Sequence, residues 1–191
     1  MGYELLTPGE MQLNLTLAGG GGLDNGSLSR LDGELREQIM PGLEWLRRKI
    51  PPFRSVRLLD AAWHIGVRAG CGGVGVETIR CDDLIRNTSV ARPVAVGHRG
   101  FGDHGHSSFA QSWVQELTGT RPIPLGALLP AAADNVVLAG RDISIEPRAV
   151  TAIRLTGQCF ATGDAAGMIA AAAFRKQLAV QEADYTGIAS A

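Results

Sequence analysis

Asp134-Asn135-Val136-Val137-Leu138-Ala139-Gly140-Arg141-Asp142-Ile143-Ser144 is the stretch on which the reading of this chain turns. Four apolar residues, Val136–Ala139, lie between polar Asp134-Asn135 and Gly140, which predicts a short buried strand ending in a glycine turn. The segment from Ile153 to Ala173 follows, rich in small residues. Its length and composition predict the longest helix of the chain, over residues 153–177. Gly163, Ala165, Ala166, Gly167 and Ala170 keep that helix slim enough to pack closely on a sheet.

The pairing of turn and helix has chemistry of its own. A strand that ends at glycine brings backbone N–H groups close to a polar ligand. The carboxylate of Asp142 can accept hydrogen bonds from the hydroxyls of a sugar alcohol. A helix that begins at Leu155-Thr156-Gly157-Gln158 aims free N–H groups and a partial positive charge at whatever lies before it.

Upstream, Met11–Leu17 alternates strictly and predicts a half-buried strand. Gly19–Gly22 and Asp24-Asn25-Gly26 break it into a loop. Ser29 is the expected cap of a helix over 30–49, which Pro41-Gly42 should kink or divide and Pro51-Pro52 should stop. Val56–Ile65 predicts a strand, with His64 a satisfied core histidine. The run Gly66–Gly73 is a turn that something approaches closely, or a flexible loop. Glu77–Arg80 predicts a short strand, Cys81–Ile85 a turn or helix, and Pro122–Leu125 an extended segment. Residues after Gln181 are expected to fray.

The bulk numbers narrow the class. A chain of 191 residues forms one domain or two small ones. With 45% hydrophobic and 19% charged residues it has the material for a core. A net charge of −1 and 5% aromatics give no footprint for nucleic acid or an anionic membrane. Cys71, Cys81 and Cys159 are odd in number and far apart, so neither a disulfide framework nor a metal site is read from them. The first residues lack a basic and then apolar signal-peptide pattern, and Met168–Ala173 is too short to span a bilayer, so a cytoplasmic location is expected.

From about Met11 to Lys176 the order of elements resembles the C-terminal half of FAD-dependent oxidoreductases of the glutathione-reductase type. The residues that carry the resemblance are Met11–Leu17, Ile50–Phe53, His64–Arg68, Pro122–Pro124, Leu128–Pro130, Asp134–Ser144, Ile153–Leu155 and Gly163–Gly167. The chain departs from the family pattern after Arg68, where Ala69–Gly73 replaces polar and basic residues, and at Gly157, often a proline in such helix starts. The resemblance implies an α+β fold. A mixed or antiparallel substrate-domain sheet would occupy residues 1–120. A strand-turn-helix over 121–180 would complete a Rossmann-like flavin-binding domain, with a tail over 181–191. It also implies FAD as cofactor, with Gly140, Arg141, Asp142 and Ile143 beside the ribityl–pyrophosphate region. Arg154, Thr156, Gly157 and Gln158 would stand at the pyrimidine edge.

The strand-GxGxxG-helix that holds the ADP part of FAD is absent from the sequence. The expectation is therefore a subunit of a split, heteromeric flavoenzyme whose second subunit carries that half. The reaction expected is oxidation or dehydrogenation of a small organic molecule, with hydride passing to flavin N5. Arg68 and His98 are candidates for binding substrate, Arg68 through an anionic group. His104 and His106, in a polar glycine-rich loop, are candidates for the base that takes the proton as hydride leaves. Two histidines two apart fall short of a zinc ligand set, and no metal is expected. Arg141 and Arg154 also fit surface ion pairs. The alternative function is a non-catalytic small-ligand-binding or scaffolding relative that has lost flavin.

Overall fold

The structure, a computed structural model, describes residues 2–5, 7–19, 22–68, 70–97, 101–103, 113–115, 117, 119–183 and 185. The described residues up to Val67 form one compact unit and those from Arg68 onward another.

In the first unit, β1 (Gly2–Glu4) pairs antiparallel with β2 (Met11–Leu13), Tyr3 opposite Gln12. The predicted strand runs on to Leu17, but the ladder ends at Leu13. Beyond it a side-chain amide takes the place of a strand partner. Leu17 N–H donates to Gln38 Oε1 and Gln38 Nε2 donates to Leu17 O, both at 3.0 Å. Helix α1 (Asn25–Glu37) starts earlier than expected because Asp24, not Ser29, is its cap: the Asp24 carboxylate accepts from Ser27 N–H and Ser27 Oγ. Helix α2 (Ile39–Lys49) follows after a break at Gln38. The expected division is present, and it leaves Pro41 in the first turn of α2, where a missing N–H costs nothing. The helix ends at Ile50, and Pro51–Phe53 closes a single 3-10 turn, as the two prolines predict.

Val56–Ile65 is not a strand. No ladder partner exists for it among the described residues; Arg47 Nε donates to Val56 O and Arg36 Nη2 to Ala62 O instead. Alternation alone does not make a strand where nothing lies alongside to pair. Leu59 and Trp63 are exposed there, and His64 is an exposed residue rather than a core histidine.

The second unit is assembled from short pieces. Gly75 bridges Pro130 antiparallel and Ile79 bridges Ile145 in parallel, so the strand predicted over Glu77–Arg80 shrinks to one bridge. Helix α3 (Cys81–Arg86) comes next, then β3 (Pro93–Gly97), β4 (Phe101–Asp103), β5 (Trp113–Gln115) and β6 (Arg121–Pro124). β3 pairs antiparallel with β6, and β4 with β5. The extended segment expected at Pro122–Pro124 is thus an edge strand, where a missing proline N–H is tolerated. Helix α4 (Thr156–Lys176) is the longest, begins within the expected residues, and packs on β3. The architecture is α+β, as expected, and the described strands form three two-stranded antiparallel sheets.

Two further expectations are corrected. Val136–Ala139 is partly buried and not a strand: Val136 is 43% exposed, and among the described residues the segment's only backbone bond to another segment is Leu138 N–H to Leu128 O. The described residues after Gln181 include buried ones rather than a frayed end. Val180, Ala183 and Tyr185 are buried, Tyr185 Oη donates to Val180 O, and burial pushes the phenol up. No helix of the described residues is long and apolar enough to cross a membrane.

The core of this unit gathers Ile123, Leu125, Leu128, Ile143, Ile153 and Ile169, all fully buried. Gln158, Thr162, Ala165, Ile169 and Ala173 form the inner stripe of α4 at helical spacing. Ile169→Ala is expected to cost about 2–5 kcal/mol in urea unfolding, because Ile169 is the one large aliphatic side chain of that stripe.

Glu146 Oε2 accepts Cys81 N–H at 2.8 Å, tying the start of α3 to the segment after Ile145. That bond holds the Glu146 carboxyl below its usual range, and burial and the nearby carboxylate raise the Cys81 thiol. A depressed folded value stabilises the fold above the ordinary glutamate value of 4.5 and loses that contribution as pH falls through the lower folded value. Thermal unfolding from pH 7 downward should show this loss below pH 4.5, and Glu146→Gln should remove that component of the pH dependence.

Candidate functional site

Gly140 opens a single 3-10 turn, Gly140–Asp142, with φ of +63°. This is the left-handed region that favours glycine. Its N–H donates to Thr162 Oγ1 at 2.9 Å, and the Thr162 hydroxyl donates in turn to Gln158 O or Cys159 O within α4. Thr162 is almost fully buried, so this lock is shielded from water. It holds the turn against the second turn of the helix.

The glycine run at 70–73 covers the other side. Gly73 N–H donates to Asp142 O at 2.8 Å, and a Cβ at Gly72 would stand 3.3 Å from Ile143 O. Of the two readings open for this run, the structure selects a close backbone approach, with Gly140–Ile143 as what is approached. Ile143 itself is fully buried, so it offers the site backbone rather than side chain. Ser144 N–H donates to Ala127 O, Ser144 O accepts Ile79 N–H, and Ser144 Oγ shares a hydrogen bond with Thr78 Oγ1. The turn is therefore clamped from several directions while Arg141 and Asp142 stay exposed.

Helix α4 starts at Leu155, which is extended and makes no side-chain cap. The first helical bond is Cys159 N–H to Leu155 O. The N–H groups of Thr156, Gly157 and Gln158 come before it and have no partner among the described residues. Thr156 and Gly157 are exposed, and a Cβ at Gly157 would meet open space. Gln158 is only 9% exposed, and its Oε1 is a buried acceptor with no hydrogen-bond partner. Such an atom costs free energy unless something donates to it.

Arg154, just before the helix, donates from Nη1 to Arg68 O at 3.1 Å, and Cys159 Sγ donates to Arg154 O at 3.5 Å. The structure thus joins Arg68 and Arg154, and Gly140 to the first turns of α4 that carry Gln158. Arg141 is not free of partners. His98, His104 and His106 lie outside the described residues. No group of three metal-ligating side chains exists among the described residues. Sequence reasoning missed Thr162 altogether. A threonine inside a helix carries no signal until the turn it satisfies is known.

Residues 3–191 match a family model described as FAD dependent oxidoreductase. The chain belongs to the FAD-dependent oxidoreductase family. Its cofactor is FAD, and an oxidoreductase role follows from the family. No curated protein and no solved structure gives a match.

The residues at the start of α4 fit a flavin. The pyrimidine edge of isoalloxazine offers one N–H donor flanked by two carbonyl acceptors. Gln158 Oε1 is a buried acceptor lacking a donor, and the N–H groups of Thr156–Gln158 have no acceptor among the described residues. Reduced flavin carries negative charge around N1 and O2, which a helix N-terminus stabilises. Asp142, exposed on the turn, is placed to accept from hydroxyls.

Thr162→Val keeps the shape of the side chain but strands the Gly140 N–H, and should cost about 1–3 kcal/mol in chemical unfolding. Thr162→Ser, which restores the hydroxyl, should recover most of that loss. Equal stability of the valine variant and the parent protein would show that the lock is not structural.

Proposed function

We propose that this chain is the C-terminal half of a glutathione-reductase-type flavoenzyme and works as one subunit of a split, heteromeric oxidoreductase. The observation that carries the reading is the start of α4: three free N–H groups and an orphaned Gln158 acceptor, held beside the Gly140 turn. In this reading residues 1–120 form the substrate side and 121–180 the flavin element.

When bound, FAD supplies at N5 an acceptor for hydride leaving a small organic substrate. The chain's own residues have the remaining tasks. Thr156–Gln158 hold and orient the pyrimidine edge. Asp142 and the backbone of Gly140–Ile143 hold the polyol. Arg154, fixed on Arg68 O, lies just before the helix start. Arg68 and His98 bind substrate, and His104 or His106 takes the proton.

The need for a partner rests on two surfaces. Val136, Val137 and Ala139 have N–H groups without a hydrogen bond to the described residues, an open edge that a strand from a partner sheet can pair. Along α4, Ala165, Ile169 and Ala173 are covered within the unit. Phe160, 73% exposed, and Phe174, 85% exposed, share the opposite face with Gly163 and Gly167. Two phenylalanines left that open on one helix face mark an interface. The partner is the subunit with the dinucleotide-binding GxGxxG half.

The test is an absorption spectrum over roughly 350–500 nm, the flavin window, of the chain alone and of the chain co-expressed with its genomic neighbour. Flavin bands in the co-purified complex alone are the expected result. No flavin in either sample would overturn the proposal in favour of the ligand-binding relative. Gln158→Leu should lower flavin occupancy of the complex while leaving the stability of the isolated chain unchanged or raised, since Gln158 Oε1 has no protein partner to lose.

A further inference from the structure

A cavity of about 340 Å³ opens in the second unit between α3, the loop at residues 88–91, the segment 77–79 and β6. This is the size of a site for a small molecule. Its walls are divided by chemistry. Ile79, Leu84 and Pro124 are buried residues that give it an apolar floor. The polar groups around it are mostly acceptors: the carboxylates of Glu77 and Asp83, with hydroxyls from Thr88 and Ser89. The one cation in the lining is Arg121, and its guanidinium is already occupied, Nε on Leu84 O and Nη1 on Thr120 O.

Of the two carboxylates, Asp83 is committed to the fold. Its Oδ2 accepts Arg80 N–H at the start of α3, and its backbone carbonyl accepts the N–H groups of Asn87 and Thr88. Glu77 is different. Its side chain makes no hydrogen bond or ion pair with the described residues. Yet its stem is held in place: Glu77 N–H donates to Gly126 O at 3.1 Å, and a Cβ at Gly126 would stand 2.6 Å from Glu77 Cγ. Only glycine at 126 lets that stem lie across the backbone. The result is a positioned carboxylate with no partner, at the edge of an apolar pocket.

We infer that this cavity binds a small organic ammonium ion, its apolar body on Ile79, Leu84 and Pro124 and its charged head on Glu77. With Glu77 and Asp83 against the single cation Arg121, the lining carries a net negative charge that favours a cationic head over a carboxylate, and a neutral ligand would gain no ion pair with the exposed Glu77. The inference stands apart from the flavin reading, because it uses none of the residues assigned to FAD.

The probe is benzylammonium, titrated into the full chain and followed by the methyl NMR signals of Ile79 and Leu84, with benzyl alcohol and benzoate as controls. Saturable shifts at these methyls are expected for benzylammonium. Benzyl alcohol should bind at least about fivefold more weakly, the effect of one partly exposed ion pair, and benzoate more weakly still. Glu77→Gln should weaken benzylammonium by a similar factor, and Glu77→Asp should retain part of the difference. An unchanged Ile169 methyl signal in both variants would report an intact core. The inference is overturned if benzylammonium gives no saturable shift, if benzyl alcohol binds as well, or if Glu77→Gln leaves binding unchanged with the core intact.

Discussion

The N–H of Gly140 is satisfied by a helix side chain, Thr162 Oγ1, and not by a neighbouring strand. The rest of the second unit is organised around that bond. Gly140 sits at positive φ, so the chain reverses sharply there, and such a turn needs an anchor if it is to keep one orientation. Thr162 supplies it from a position that is also part of the buried stripe of α4. One hydroxyl therefore sets the distance between the turn and the helix start. It is the bond that ties the turn directly to the helix, alongside the clamps that Gly73 and Ser144 supply from other segments.

The same unit shows how irregular backbone is stabilised when long ladders are few. Ser144 joins three segments through its N–H, its carbonyl and its hydroxyl. Gly73 adds a cross-link to Asp142, and Glu146 adds two, its N–H to Ile79 O and its carboxylate to Cys81 N–H. Each bond is modest, but most run between segments far apart in sequence. The loops they fix are long, and they close over the buried core at Ile123, Leu128, Ile143 and Ile153. Glycine at 72, 73, 75 and 126 allows this close threading, since a Cβ at Gly75 would stand 2.6 Å from Gly126 O. The abundance of glycine in this chain is thus a packing requirement in this unit as well as a flexibility allowance.

Secondary structure was legible where the signal was local. The α4 span, the division of the helix expected over 30–49 near Pro41, the stop at Pro51 and the extended Pro122–Pro124 all follow from φ limits and helix geometry that a residue carries with it. Strands fared worse for a physical reason. Val56–Ile65 and Val136–Ala139 have the composition of strands, but a strand is a relation between two segments, and no described segment forms a ladder with either; Val136–Ala139 makes a single bond, to Leu128 O. Asp24 displaced Ser29 as the cap because both are competent residues, and the choice depends on where the loop before the helix becomes extended.

By itself the sequence determined the chemistry on offer: a glycine turn with an acidic residue after it, a helix start rich in donors, and a family whose cofactor is FAD. Those are properties of residue type and order. Only the tertiary structure decided that Thr162 holds Gly140, that Gly73 closes on Asp142, that Gln158 is left with an orphaned acceptor, and that Glu77 is laid across Gly126. Each is a contact between segments with no sequence signature, because a hydrogen bond or a close approach is specified by the position of both partners, and the chain encodes only their identities.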